Sequence, residues 1–424
     1  MQRQNSKDPN ESQRTLGRTL AIAHGERMNV CMLAYAHYIN DARIKNYVRT
    51  LEDQGHQVDV IALRCDGESP TEKRSSGTTF RIMDKYQGDS NLAYAWSYLK
   101  FFLKSALLLV RRSLGHRYRV VHIHNMPNAL VFAAIVPKIL GAKIILDVHD
   151  LMTVNYMAKF GATENDVPVK ILQLEQRLSA LVADHVFCAD HNQSDYLVEH
   201  CGVAKRKIAV LLNLPNVELF RPVTVENKPE AFRIVYHGTI AHRLGIDLIV
   251  RAMAKVVTRV PAELWVYGAG DYLPEARALV SELGLEGKAH FSGTFFPVER
   301  IPEMVCGMDL GIIGNRRNLA CNKYMLPVKL LEYVYLGVPV VAPRLEIIRY
   351  YFDESMIRFY DPENVDQMAD VIVEMFNDRD RRQEQAQAAK RFYQAYNPQA
   401  QADRYLQLIT NSRIGLTRSA ERHA

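Results

Sequence analysis

Short, almost wholly apolar runs recur along this chain, and a stretch with helical spacing follows nearly every one. In the first half they fall at 29–36, 58–63, 120–124, 143–148 and 208–212. In the second half they fall at 232–237, 264–267, 290–294, 308–314 and 340–342. A strand buried on both faces reads as a continuous apolar run, and a helix between two strands returns the chain so that they pair in parallel. The pattern predicts α/β architecture with doubly wound parallel sheets. A length of 424 residues exceeds one ordinary core and implies two domains of similar size.

Residues 1–27 are polar, rich in Gln, Asn, Ser and Arg, and hold no apolar core of the kind a secretory signal needs. They read as a disordered leader. The first domain then spans 28–222 and the second 231–385, with the polar stretch 215–229 as linker. A helical segment, polar on one face, covers 365–396, and the tail 412–424 is basic. The net charge of +6 suits phosphate-bearing ligands or an anionic membrane surface, and is too weak to argue for nucleic acid. Six scattered cysteines without a zinc spacing fit a reducing compartment.

The most apolar stretch is 92–112. Lys100 and Lys104 interrupt it, so it is no membrane span. On a helix Ser97, Lys100, Lys104 and Arg111 share a narrow sector. Two readings stand: a helix lying in a membrane interface with Trp96, Phe102 and Leu103 inserted, or a core helix with a snorkelling Lys edge. His122 and His124 share one strand face, a spacing that suits a metal; with no third ligand evident, packed or substrate-facing imidazoles are the simpler reading. Arg43, in the first turn of a helix, faces either phosphates or solvent. Asp378-Arg379-Asp380 has a D-x-D spacing but lies in a polar helix and reads as a solvated face.

The stretch 322–342, NKYMLPVKLLEYVYLGVPVVA, carries the sharpest motif. A helix through Leu330–Leu336 stops at Gly337, and Val340-Val341-Ala342 follow as a buried strand. The pattern P-x-K-[LF]-x-E-Y-x-x-x-G-x-P-V-V is met by Pro327, Lys329, Leu330, Glu332, Tyr333, Gly337, Pro339, Val340 and Val341. It resembles the donor-binding signature of the retaining family 4 glycosyltransferases, which have the GT-B fold. The segment GHQVDVIAL, the strand end LDVHDLM and the glycine-led loop GTIAHRLG resemble other parts of that family, over about 28–396.

The resemblance implies two Rossmann-like domains facing a central cleft, with a C-terminal helix (386–411) packing back on the first. It implies a retaining transfer of sugar from a nucleotide-diphosphate sugar to a lipid-linked, polysaccharide or glycoconjugate acceptor. His149, Arg243 and Lys329 would be catalytic. Gly238, Thr239, Gly268, Tyr324 and Glu332 would bind the donor, with Glu332 on the ribose. Tyr324 stands where the family has the first Glu of its E-x7-E pair, which leaves the sugar contacts to Tyr324, to backbone at 325–326, or elsewhere. With Arg243, Lys329 and a helix N-terminus available for the diphosphate, no metal and no cofactor are expected. The expected partners are the nucleotide sugar and a glycan or lipid-linked acceptor, with peripheral membrane contact through 92–112 and no nucleic acid. The expected place is the cytoplasm, at the inner membrane face. The alternative is a catalytically silent GT-B-like protein that binds a nucleotide or a partner.

Overall fold

The computed structural model describes residues 27–410 apart from 87, 89, 224–230, 318 and 319. The leader up to residue 26, part of the linker and the basic tail lie outside the described residues.

The first sheet has eight strands: β1 (Asn29–His37), β2 (Gln57–Arg64), β3 (Thr71–Arg74), β4 (Gly77–Asp84), β5 (Val120–His124), β6 (Lys143–Val148), β7 (His185–Cys188) and β8 (Ile208–Val210). Their order is β3-β4-β2-β1-β5-β6-β7-β8. Every pairing is parallel except the β3–β4 hairpin. The second sheet comprises β9 (Phe232–His237), β10 (Ala262–Tyr267), β11 (Ala289–Phe291), β12 (Leu310–Ile312), β13 (Val340–Pro343) and β14 (Arg358–Tyr360). It is wholly parallel, ordered β11-β10-β9-β12-β13-β14. In each sheet the order reverses beside the first strand, β1 or β9, and such a switch point opens a crevice at the strands' C-terminal ends.

Helices cover both faces of the first sheet. On one face Phe101 and Leu109 of the helix Asn91–His116 join Leu130, Val131 and Ala180 over Ile123 and Leu146. On the other, Ile44 and Leu51 of the helix Ala42–Asp53 pack with Tyr405, Leu406 and Ile409 of the C-terminal helix Pro398–Thr410. The expected single helix over 386–411 is in pieces. Ala389 and Phe392, in the helices Arg379–Ala389 and Arg391–Ala395, pack on the second domain, and the chain crosses to the first just before Pro398. Gln401 then clamps the end of the first domain: Leu212 donates its N–H to Oε1 at 2.8 Å, and Nε2 donates to the Leu212 carbonyl at 2.6 Å.

Several elements have no counterpart in the sequence reading, β7 and the helix Glu346–Tyr351 among them. The β3–β4 hairpin begins with Thr71-Glu72-Lys73-Arg74, a charged run at a sheet edge whose polar residues discourage further pairing. β14 is only three residues long. Another is the helix Met152–Phe160, which ends at Gly161 with φ +65°. Its Thr153 and Val154 are weak helix formers that burial holds in place.

Candidate active site

The second-domain half is built on β9 and on the helix Val328–Leu336. β9 ends at His237, and Gly238 follows with φ +103°, a region that favours glycine. Its N–H donates to the carbonyl of Tyr267 at the end of β10. A Cβ on Gly268 would stand 1.9 Å from the Gly238 carbonyl oxygen, so only glycine lets these two strand ends meet. The two glycines expected at the donor site therefore form one packed pair, with Thr239 exposed beside it.

Lys329, one residue into its helix, turns its ammonium over the ring of Tyr236, 3.6 Å from the centroid. The nitrogen is covered from solvent and has no hydrogen-bond partner among the described residues, although part of the side chain stays accessible. Burial pushes its pKa down to about 7, against the pull of Glu332 and helped by the charge of Arg243. Arg243 itself is exposed, on the 3₁₀ turn His242–Leu244. That turn is pinned by Arg316, which donates to the His242 carbonyl at 3.1 Å and pairs with Asp247 at 2.5 Å.

Glu332 lies one helical turn from Lys329 and is mostly covered, with 12% of its side chain exposed. Its Oε2 meets Nε2 of His237 at 2.5 Å. The other imidazole nitrogen, Nδ1, is 3.0 Å from the Tyr333 hydroxyl. A proton on Nε2 is donated to the carboxylate, and the Tyr333 hydroxyl accepts from the His237 backbone N–H and donates to the Val235 carbonyl, both at 3.2 Å. The carboxylate expected to face a ribose is thus oriented by an imidazole, with its second oxygen left for a ligand.

The first-domain half gathers at the ends of β5 and β6. His149 donates its backbone N–H to Asn125 Oδ1 at 2.8 Å. Its Nε2 points inward, 3.0 Å from His124 Nδ1 and 3.4 Å from Asp147 Oδ2. Asp147 is fully buried and receives a two-pronged guanidinium, Arg43 Nη2 to Oδ1 at 2.6 Å and Nε to Oδ2 at 3.0 Å. Burial alone would raise the Asp147 carboxyl; Arg43, with His149, holds it well below the usual carboxylate range. Burial holds His122 below its ordinary value, and His124 well below it with help from His122, so both are neutral imidazoles.

Two sequence readings are corrected here. Arg43 faces neither phosphates nor solvent, because it neutralises a carboxylate inside the domain. His122 and His124 do have a third potential ligand, Asp147, with the ligand atoms all within 4.8 Å of one another. The chemistry favours a hydrogen-bonded cluster over a cation site, since both oxygens of Asp147 are already engaged by a guanidinium whose charge opposes a metal.

The halves meet through several side chains of the helix His191–Glu199: Asn192 Nδ2 donates to the Lys323 carbonyl at 2.8 Å, and His191 Nδ1 lies 2.6 Å from the Tyr351 hydroxyl. Gln193 Nε2 lies 3.1 Å from the His149 carbonyl and 3.0 Å from the Tyr324 carbonyl. The ring of Tyr324 packs edge-on against Tyr196 of the first domain, centroids 5.1 Å apart. Its side chain thus joins the domain boundary, whereas Lys329 and Glu332 stand together on the helix Val328–Leu336. The sequence reading missed Asp147, His237, Arg316 and Gln193. Only His237 carried a signal, by directly preceding the glycine-led loop.

The profile of Glycosyltransferase Family 4 matches residues 42–218, and that of Glycosyl transferases group 1 matches 231–378. The chain belongs to the family 4, group 1 glycosyltransferases. Among curated proteins it is 26% identical over 153 residues to a phosphatidylinositol N-acetylglucosaminyltransferase component of Arabidopsis thaliana, a match covering 36% of this chain and 32% of that relative. Among solved structures it resembles sucrose-phosphate synthase of Thermosynechococcus elongatus, with TM-score 0.72 and 17% identity over 90% of this chain and 98% of the other. HepE of Anabaena, solved with UDP and glucose, gives TM-score 0.67 and 14% identity over 91% and 100%. The fold of this family 4 member is GT-B, and its activity class is glycosyltransferase.

Proposed function

We propose that the chain is a retaining, metal-independent glycosyltransferase moving a sugar from a nucleotide-diphosphate sugar to a glycan, polysaccharide or lipid-linked acceptor, working at the inner face of a membrane. The observation that carries this reading is the covered, unpartnered ammonium of Lys329 beside Gly238 and the His237-held Glu332. Burying a cation without a partner is unfavourable by several kcal/mol, so such a group is kept where a ligand will complete it. A diphosphate supplies the missing charge, and Glu332 accepts from ribose hydroxyls one helical turn away. Support for the nucleotide comes from HepE, solved with UDP and glucose.

In the reaction the bond from the anomeric carbon to the diphosphate oxygen breaks. The acceptor oxygen bonds the same carbon from the same face, and its proton passes to the departing phosphate. Lys329 and Arg243 stabilise the charge that develops there, which is the larger part of what a protein can contribute to such a step. His149, carried by the first domain, turns Nε2 inward to Asp147 and leaves only the exposed 22% of its side chain for the sugar across the cleft, so the site is complete only with both domains in place.

The test is incubation of the purified chain with a panel of nucleotide sugars, following free nucleotide and the anomeric proton of the product. Turnover with a retained anomer in EDTA is the expected result. A second reading, a silent nucleotide-binding protein, is favoured by Tyr324 standing against Tyr196 in place of a sugar-facing carboxylate. Tight nucleotide binding with no donor cleavage would select it.

A further inference from the structure

Between Asp89 and Asp147 the chain has no side-chain carboxylate, while Lys100, Lys104, Arg111, Arg112, Arg117 and Lys138 all fall there. The structure lays this segment and the helix Val167–Val182 side by side on one face of the first sheet, because Phe101, Leu130, Val131 and Ala180 share one core. What those helices show to the outside is unusual.

On the helix Asn91–His116, Leu92, Trp96, Leu99, Leu103 and Leu107 point outward, Leu92 with 84% of its surface exposed. On the neighbouring short helix Ile135–Ile139, Ile139 is 78% exposed. On Val167–Val182 the exposed apolar residues are Val167, Ile171, Leu174, Leu178 and Leu181, a 4-3-4-3 spacing that keeps them in one stripe. The single acid on that helix, Glu175, is turned inward, where its Oε2 accepts from Asn128 at 2.8 Å. Scattered exposed apolar residues need no explanation, but exposed apolar stripes on three helices over one sheet face mark an interaction surface.

The geometry points to the outer face of these three helices, Asn91–His116, Ile135–Ile139 and Val167–Val182, as one docking surface for an anionic lipid bilayer. Charge selects this occupant. Exposed Lys100, Lys104 and Arg111 border the stripe of the first helix, and exposed Lys170 and Arg177 that of the last. Anionic head groups complement these cations while the apolar side chains enter the interface. A second copy would set the same cations against one another across a two-fold axis, which opposes pairing. No helix among the described residues is long and apolar enough to cross a membrane, so the contact lies flat.

The first helix alone does not describe this surface. Ser97 is buried and bonded to the Tyr35 hydroxyl at 2.8 Å, and Phe102 packs on the core, so both leave the expected interface. The two other helices replace them. This deepens the lipid-linked acceptor reading above and rests on it for its purpose, but its test needs no turnover, so each fails separately.

The test is flotation of the full chain with vesicles of phosphatidylcholine alone or mixed with phosphatidylglycerol, at low and high salt. Binding to the anionic vesicles only, partly released by salt, is expected. Ile171→Glu with Leu174→Glu, far in sequence from the first helix, should lower vesicle affinity by about tenfold or more, as should Lys100→Glu with Lys104→Glu. In a Trp265→Phe background Trp96 is the sole tryptophan, and its emission should shift to the blue on adding anionic vesicles. A chain that stays unbound, an unshifted Trp96, or wild-type binding by the folded Ile171→Glu, Leu174→Glu variant would overturn the proposal. So would a solution dimer that this double substitution dissolves, since the face would then belong to a second copy.

Discussion

Lys329 holds its ammonium 3.6 Å above the ring of Tyr236, and no group among the described residues accepts a hydrogen bond from it. The aromatic face offers attraction but no proton acceptor, and burial lowers the lysine to a pKa of about 7. A nucleotide sugar bound there would raise that pKa again and take up a proton. Donor affinity should therefore be greatest below about pH 7 and fall with rising pH, by up to tenfold per unit. Titration of binding from pH 6 to 9 checks the sign. Affinity unchanged across that range in wild type would remove Lys329 from the diphosphate site.

The same residue should trade stability for binding. Lysine ordinarily titrates near 10.4, so below about pH 7 the folded protein carries the full penalty of a covered charge, and the penalty fades as pH rises. Lys329→Met should raise the melting temperature at pH 6 and lose donor cleavage. A destabilised Lys329→Met would contradict this account.

Glu332→Ala should weaken nucleotide binding by roughly 1.5–3 kcal/mol, the scale of a charge-assisted hydrogen bond, with the fold intact. His237→Phe, which frees the carboxylate from its imidazole, should give a smaller loss in the same direction. Calorimetry with the tightest-binding donor reads both. Full affinity in both variants would clear this pair of any ribose role.

His149→Ala should keep donor affinity within a few-fold and cut transfer by about 10²-fold or more, the loss expected of a positioned group. Arg43→Met is different in kind. It leaves the buried Asp147 carboxylate unpaired and should destabilise the first domain by about 3–5 kcal/mol. Denaturant unfolding separates the two: a His149→Ala protein as unstable as Arg43→Met would make the histidine structural.

EDTA should leave transfer unchanged, and the product should keep the donor's anomeric configuration. Activity lost to the chelator and restored by manganese would sink the metal-free mechanism, and an inverted product the retaining one.

Much of this protein was decided locally. The strands 120–124, 143–148 and 232–237 match the structure residue for residue, because a parallel strand covered on both sides reads as a largely apolar run, broken here only by Lys143, Arg233 and the buried His122, His124, Asp147 and His237. The helix stop at Gly337 and the strand after it are set by a left-handed glycine, φ +75°, and by Pro339. The motif spacing likewise puts Lys329 and Glu332 on one helix, three residues apart. The partners of these side chains were decided elsewhere. Arg43 and Asp147 are 104 residues apart in the chain, and His237 and Glu332 are 95. Whether a charge meets solvent, a phosphate or an opposite charge depends on which strands the sheet order makes neighbours, and no local pattern encodes that. The surface proposed to face lipid is of the same kind: only the packing of three helices on one sheet face leaves their exposed apolar residues on one side.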